Sequence, residues 1–348
     1  MPLYVVSAAA VETPFGLGPL LDRRLLLFTG KGGVGKSTVV AALAVEAASR
    51  GKRPLIVELG HRASMRTIFA APEIGHAPRP VGEGREIWAA NLDFEEALVD
   101  YVVEHARFLG RSAARTITGN RALHGLFRAA PAVRETVMLN KLRLFERHET
   151  RGRPTWGPIL VDLDATGHAL MLLDMPQILD GLLADGPLRG LVEVLTGLFT
   201  DPARTLLNLV TLPAEVPVQE TLELYARLDR GRGVQLGAVF VNQVPRPPLR
   251  RELRPLLPGL ARLAADAGLR ALACDLELAA RALAQEAQVR ELVVRLRDAL
   301  RVPLSLLPRL DVHGRGIPAL QTLGRAAMRE LPRLDASDPI RTLAAEDE

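Results

Sequence analysis

LLLFTGKGGVGKSTVVAALAVEAASRG, residues 25–51, decides the fold. Residues 25–29 form a short apolar run that predicts a buried strand, residues 36–50 are alanine-rich and read as a helix, and Gly51 supplies its stop. Between strand and helix, Gly30, Gly32, Gly33 and Gly35 make a turn whose backbone N–H groups can close around an anion. The helix that follows aims its positive end at the same point. Residues 30–37 satisfy G-x-x-x-x-G-K-[ST], the pattern of a phosphate loop. On this reading Gly32, Gly33, Val34 and Gly35 cradle the phosphates and Lys36 reaches the β and γ phosphates. Ser37 ligates Mg²⁺, and Thr38 lies beside the α phosphate. The stretch predicts a site for ATP with Mg²⁺.

Further apolar runs occur at 53–59 (RPLIVEL), 157–163 (GPILVDL), 205–212 (TLLNLVTL), 236–244 (LGAVFVNQV) and 302–308 (VPLSLLP), each separated from the next by helix-like sequence. Strands that are apolar on both faces and alternate with helices predict a mostly parallel sheet covered on both sides. Residues from about 92 to 150 show helical patterning and no convincing strand, so a helical subdomain is expected between the strands at 53–59 and 157–163. The expected organisation is an N-terminal extension at 1–22, an α/β P-loop NTPase domain at 23–340 carrying that insertion, and an acidic tail at 341–348.

Composition narrows the partners. At 48% hydrophobic over 348 residues the chain has ample core. Its 44 basic residues are scattered among 40 acidic ones for a net charge of +4, which argues against nucleic acid as a main partner. A single cysteine, Cys274, forms no internal disulfide, and no Cys/His pair has metal-ligand spacing, so a structural zinc within one chain is not expected and a reducing cytoplasm fits. The first residues lack the basic region of a signal peptide, and no run of 18 apolar residues occurs, so no stable membrane insertion is expected.

Only four of the basic residues are lysine, namely Lys31, Lys36, Lys52 and Lys141, and two of them sit in the phosphate loop. An ordinary phosphate loop needs only Lys36. A lysine directly after the first glycine marks the deviant form of the loop. Other blocks agree with it in order along the chain: APAVRETVMLNKL at 130–142, VDLDATGHALMLLDMP at 161–176, LVTLPAEVPVQETLELYARL at 209–228, VFVNQVPRP at 239–247 and VPLSLLPRL at 302–310. Over roughly residues 22–332 the chain resembles the arsenical pump-driving and tail-anchored-protein targeting ATPases.

That resemblance implies a dimeric ATPase in which Lys31 reaches the partner's nucleotide and couples ATP binding to dimer closure. It places Asp162 near Mg²⁺, through water, Asn242 against the base, Pro308 beside the nucleotide, and His168 in the switch that follows Asp162. Glu220 and Thr221 match the family's P-E-x-x-P-x-x-E-T segment. The first switch departs most: in VELGHRAS at 57–64, Glu58 replaces the aspartate that positions the attacking water and Leu59 replaces a proline, while His61 is retained. A slow ATPase with Glu58 in the catalytic role is the expectation. Should that carboxylate not serve, Asp162 and Asp164 are next.

The family's thiolate metalloid site and its cysteine-held zinc do not carry over to a chain with one cysteine. A homodimer, or pairing with a related ATPase subunit, is implied instead. A helix-period stripe at Phe94, Leu98, Tyr101, Val102, His105, Phe108 and Leu109, and the apolar stretch after Asp162 with Met171 and Met175, suit either a groove for a hydrophobic client or membrane transporter, or ordinary packing. His105 reads as a core residue. Two other functional classes stay open: a nucleotide-binding scaffold without hydrolysis, and a partitioning or positioning ATPase.

Overall fold

The computed structural model describes residues 20–59, 63–82, 84, 86–106, 110–119, 131–163, 187–230, 233–245, 251–310 and 316–331. A central sheet holds eight strands: β1 Leu25–Thr29, β2 Leu55–Leu59, β3 Arg79–Val81, β4 Ile87–Leu92, β7 Ile159–Leu163, β8 Thr205–Thr211, β9 Leu236–Val244 and β10 Leu304–Pro308. Their order across the sheet is β10-β9-β8-β1-β7-β2-β4-β3. Only β3, at the edge, runs antiparallel to its neighbour. A small hairpin, β5 Glu149–Thr150 with β6 Arg153–Pro154, stands apart.

Helices cover both faces, as the doubly apolar strands require. Alternation decides which face each residue serves. Leu26, Phe28, Ile56, Leu160, Leu206 and Val210 share a core with α1 Lys36–Ser49 and α10 Ile317–Glu330. Leu25, Leu27, Leu55, Val57, Val161 and Leu207 pack on the opposite face, under α5 Pro131–Arg147, α6 Pro187–Thr200, α7 Glu215–Arg230 and the second half of α9 Arg270–Ala299. The other helices are α2 Ser64–Ile68, α3 Phe94–His105, α4 Arg111–Thr118 and α8 Leu257–Asp266.

The six strands expected from the apolar runs are present. Two more, β3 and β4, lie between β2 and the helical segment. Their sequences, RPV and IWAANL, are too short or too alanine-rich to stand out from helix. Within the segment after β4, Asp93 caps α3 by accepting from the N–H groups of Glu95 and Glu96. Asp100 on α3 is bonded by His76 at 2.9 Å, and by Lys141 of α5 and Arg111 of α4. These bonds tie α3, α4 and α5 to the loop that follows α2.

The α3 stripe mostly faces inward: Leu98 packs with Ala97 and Val137, and Phe94 and Tyr101 lie against that cluster. His105 corrects the expectation of a core histidine. It is exposed, its Nδ1 is 2.9 Å from the Tyr101 carbonyl, and its ring lies over Tyr101. The stripe's Phe108 and Leu109 lie outside the described residues, as do His61, Asp164, His168, Met171 and Met175.

Candidate functional site

The phosphate loop joins β1 to α1 at the carboxyl end of the sheet, where β1, β7 and β2 run side by side. Phe28, Asp162 and Glu58 are in register across these three strands. Their alternation places all three on the α1 face. The first turn of α1 therefore meets two carboxylates that lie 104 residues apart in sequence.

Ser37 donates its hydroxyl to Asp162 Oδ2 at 2.5 Å. Lys36 is buried, and its ammonium donates to the carbonyls of Gly30 at 3.1 Å and Lys31 at 3.3 Å. The lysine is thus folded back over its own loop. Gly32 and Gly33 are exposed at the crest, while Val34 is buried beneath it and Thr38 is half-buried in the first turn of α1.

Two glycines of the loop leave no room for a side chain. A Cβ on Gly30, at φ 149°, would lie 2.1 Å from the Val210 carbonyl oxygen of β8. A Cβ on Gly35, at φ 88°, would lie 2.3 Å from Asn242 Nδ2. Asn242 donates from that nitrogen to the Val34 carbonyl at 2.9 Å, and its Oδ1 accepts from the Gln243 N–H at 2.9 Å. Asn242, the side chain expected at the base, thus also braces the loop. Pro308 ends β10 opposite Val244, the neighbour of this segment.

Glu58 is 3% exposed. Its Oε1 accepts from the Met65 N–H at 3.1 Å, and the Ser64 N–H also bonds the carboxylate, so Glu58 caps the start of α2. Its Oε2 is buried without a hydrogen-bond partner among the described residues. Burial, opposed by the Met65 and Ser64 amides and aided by the Asp162 charge, pushes the Glu58 carboxyl up to about 7.

Lys31 is half exposed, and its Nζ lies 2.6 Å from Glu220 Oε1 on α7 of the same chain. Sequence reasoning singled out both residues and missed that they meet. It also missed the role of Val210 and the capping amides of Ser64 and Met65. The motif segments carry no signal of these contacts, because they are formed by elements distant in sequence.

The site fits a nucleotide triphosphate with a divalent cation. Ser37 and Asp162 bring two oxygen donors together, Lys36 stands over the loop, and the Asn242 bond to the Val34 carbonyl ties the loop to β9. Among the described residues no cluster of three His, Cys, Asp or Glu side chains could hold a metal by itself. The ion would share its coordination with phosphate oxygens and water, as Mg²⁺ does.

Part of the chain is similar to the anion-transporting ATPases. Residues 23–186, from the start of β1 to beyond β7, match that family. ATPase BagA of Mycobacterium tuberculosis is 31% identical over 224 residues, covering 63% of this chain and 65% of that protein. ATPase ARSA1 of Chlamydomonas reinhardtii is 24% identical over 369 residues, covering 89% of this chain and 43% of the relative. The arsenical pump-driving ATPase of Acidiphilium multivorum is 28% identical over 225 residues, covering 58% and 36% respectively. The chain thus spans less than two thirds of the length of these relatives. The resemblance read from the separated blocks and the family match agree on the phosphate loop, β2 and β7. No described helix is long and apolar enough to cross a membrane.

Proposed function

We propose that the chain binds Mg-ATP in the loop 30–38 and hydrolyses it slowly in the cytoplasm, and that nucleotide binding closes a homodimer, or a pair with a related subunit, which acts on a protein or transport partner. The observation that carries this reading is the meeting of Ser37, Asp162 and Glu58 at the mouth of a complete phosphate loop. The ATPase names of the relatives support the hydrolytic part.

Hydrolysis of a terminal phosphoanhydride needs charge neutralisation and a positioned water more than it needs covalent chemistry. Lys36 would leave the Gly30 and Lys31 carbonyls for the β and γ phosphate oxygens, an exchange of weak neutral acceptors for charged ones. The amides of Gly32 to Gly35 and the first turn of α1 would hold the remaining oxygens. Ser37 directly, and Asp162 through water, would hold Mg²⁺, which when bound neutralises charge on the β and γ oxygens.

Glu58 has one oxygen fixed by α2 amides and the other without a partner among the described residues. A water bonded to the second oxygen would be oriented, and Glu58 would take its proton. A carboxyl near 7 is matched to that task at neutral pH. In the proposed closed dimer, Lys31 would add its charge to the partner's nucleotide. Asn242 and Pro308 flank the region where the base would lie.

The alternative is a nucleotide-binding subunit that does not hydrolyse. It is favoured by the longer Glu58 side chain and by its commitment to capping α2. Phosphate release under single-turnover conditions decides between them: wild type should release phosphate and Lys36→Ala should not. Nucleotide binding by the wild-type protein with no phosphate release selects the scaffold.

A further inference from the structure

We propose that the hairpin β5–β6 docks an acidic segment of a partner protein at the end of the sheet opposite the phosphate loop. The hairpin joins α5 to β7, so it stands where the parallel strands begin. Residues 147–154 read RHETRGRP and all of them are exposed. Arg147, His148, Arg151 and Arg153 stand against one acid, Glu149. Nearby cations on this edge are held in ion pairs: Lys52 is 2.6 Å from Asp22, Arg53 is 3.1 Å from Glu86 and Arg204 is 2.9 Å from Glu146. Among the described residues, Arg147, Arg151 and Arg153 have no ion-pair partner. Their charge is open to a ligand.

The hairpin is held rigidly at its root. Arg24 donates to the Trp156 carbonyl at 2.5 Å and to the Glu146 carbonyl at 2.6 Å, so one guanidinium ties together the chain entering the hairpin and the chain leaving it. The Thr155 N–H donates to the His148 carbonyl at 2.9 Å, and Glu149 pairs with Pro154 and Thr150 with Arg153. In this register His148, Thr150, Arg153 and Thr155 share one face. The buried Thr155 hydroxyl lies 2.7 Å from both His148 Nδ1 and Thr150 Oγ1, which fixes these two side chains and leaves the far nitrogen of the imidazole and the Arg153 guanidinium for a ligand on that face. A surface ordered in advance lowers the cost of association.

The tip carries a local conflict. Arg151 and Gly152 have φ of 55° and 73°, the two positive values of a tight two-residue hairpin turn. Asn, Asp or Gly suits the first of these positions, and Arg151 puts a cation there against the preference of the turn. A side chain placed against backbone preference at an exposed tip points to a contact outside the chain.

The chemistry of the surface selects the occupant. The hairpin exposes no aromatic ring on which a base could stack, because Trp156 is buried with its ring 5.2 Å from that of Trp88. Residues 147–153 include no apolar side chain that would enter a bilayer, and three arginines alone attract an anionic membrane only weakly. A peptide segment bearing several carboxylates offers each guanidinium a bidentate anion and needs no apolar anchor.

Fluorescence anisotropy of a labelled hexaglutamate peptide with the whole, nucleotide-free protein at low salt tests the proposal. Wild type should bind the peptide, and binding should weaken as salt rises. Arg151→Asn with Arg153→Gln should weaken binding by roughly tenfold or more, because two of the three guanidinium contacts are lost. The melting temperature should be unchanged or higher, since asparagine suits the turn. Arg262→Gln with Arg270→Gln, at exposed positions of α8 and α9, removes the same charge elsewhere and should bind like wild type. Wild type that binds hexaglutamate no better than hexaserine overturns the proposal. So does equal weakening in the two double variants, which would make the attraction one of overall charge. Hairpin-dependent binding of a short single-stranded RNA or of phosphatidylserine vesicles, by protein that ignores the peptide, overturns it as well and assigns the surface to that ligand. The contact needs neither ATP nor the phosphate loop, so failure of hydrolysis would leave these results unaffected.

Discussion

The ammonium of Lys31 lies 2.6 Å from the carboxylate of Glu220, on the helix that follows β8 of the same chain. In the proposed dimer this lysine serves the partner's nucleotide, so the contact within the chain competes with the contact across the interface. Both side chains are more than 40% exposed, and such pairs are worth at most about 1 kcal/mol. The competition is therefore mild. Glu220→Gln should tighten ATP-dependent association by up to about fivefold, with the melting temperature nearly unchanged. Lys31→Ala should still bind nucleotide yet lose ATP-dependent closure and turnover. Sedimentation with a non-hydrolysable ATP analogue measures both, and closure by Lys31→Ala equal to wild type would refute the trans role.

Lys36→Ala should abolish nucleotide binding while preserving the loop, because the Asn242 bond to the Val34 carbonyl braces the backbone independently of the lysine. Mg-ATP at a hundredfold excess over its dissociation constant should stabilise wild type by about 2.7 kcal/mol and leave the variant unshifted. Equal thermal shifts would show that ATP binds elsewhere.

Glu58 has a carboxyl raised to about 7 by burial, so its ionisation opposes folding. For a raised acid, the stabilising effect of the bound proton is fully present below the unfolded value of about 4.5 and is lost as pH rises through 7. Glu58→Gln should therefore stabilise the nucleotide-free protein by about 2 kcal/mol at pH 8 and have little effect at pH 4.5. The same change should lower single-turnover hydrolysis at least tenfold while ATP binding persists, since the amide keeps the size and loses the base. In wild type kcat/KM should fall as pH drops below about 7, where the base becomes protonated. Unaltered hydrolysis in Glu58→Gln would move the search to Asp162 and Asp164.

Asp100 joins two cations, Lys141 and Arg111, and the His76 ring, from three different segments. Burial raises its carboxyl, but bonds from His76, Lys141 and Arg111 outweigh burial and hold it well below the usual carboxylate range. A depressed acid contributes stability above its unfolded value, near pH 4, and loses it as pH falls toward its folded value. Asp100→Asn should cost about 2 to 4 kcal/mol at pH 7, because it leaves Lys141 and its neighbours without their shared anion. The gap between wild type and variant should narrow between pH 5 and pH 3 in thermal melts. A gap independent of pH would exclude the ionised carboxylate as the source of the stability.

By itself the sequence determined the strand, phosphate loop and helix at 25–51, because glycine spacing, a lysine and a hydroxyl at fixed offsets are a local requirement of phosphate binding. It also determined the parallel α/β class and six of the eight strands of the main sheet, since a strand buried on both faces must be apolar throughout. β3 and β4 escaped because an edge strand and its neighbour need no such run; they are strands because β2 pairs with β4 and β4 in turn pairs with β3. The tertiary structure alone decided that Glu58 and Asp162 share a face, since that depends on which strands are adjacent and in what register. It decided that Asn242 braces Val34, that Lys31 rests on Glu220 and that His105 is exposed. It also decided that Leu260 and Leu263 of α8 face solvent while Leu257 is buried. An apolar spacing shows that a helix has a face to cover, and only the packing of the other elements determines whether the chain covers it itself.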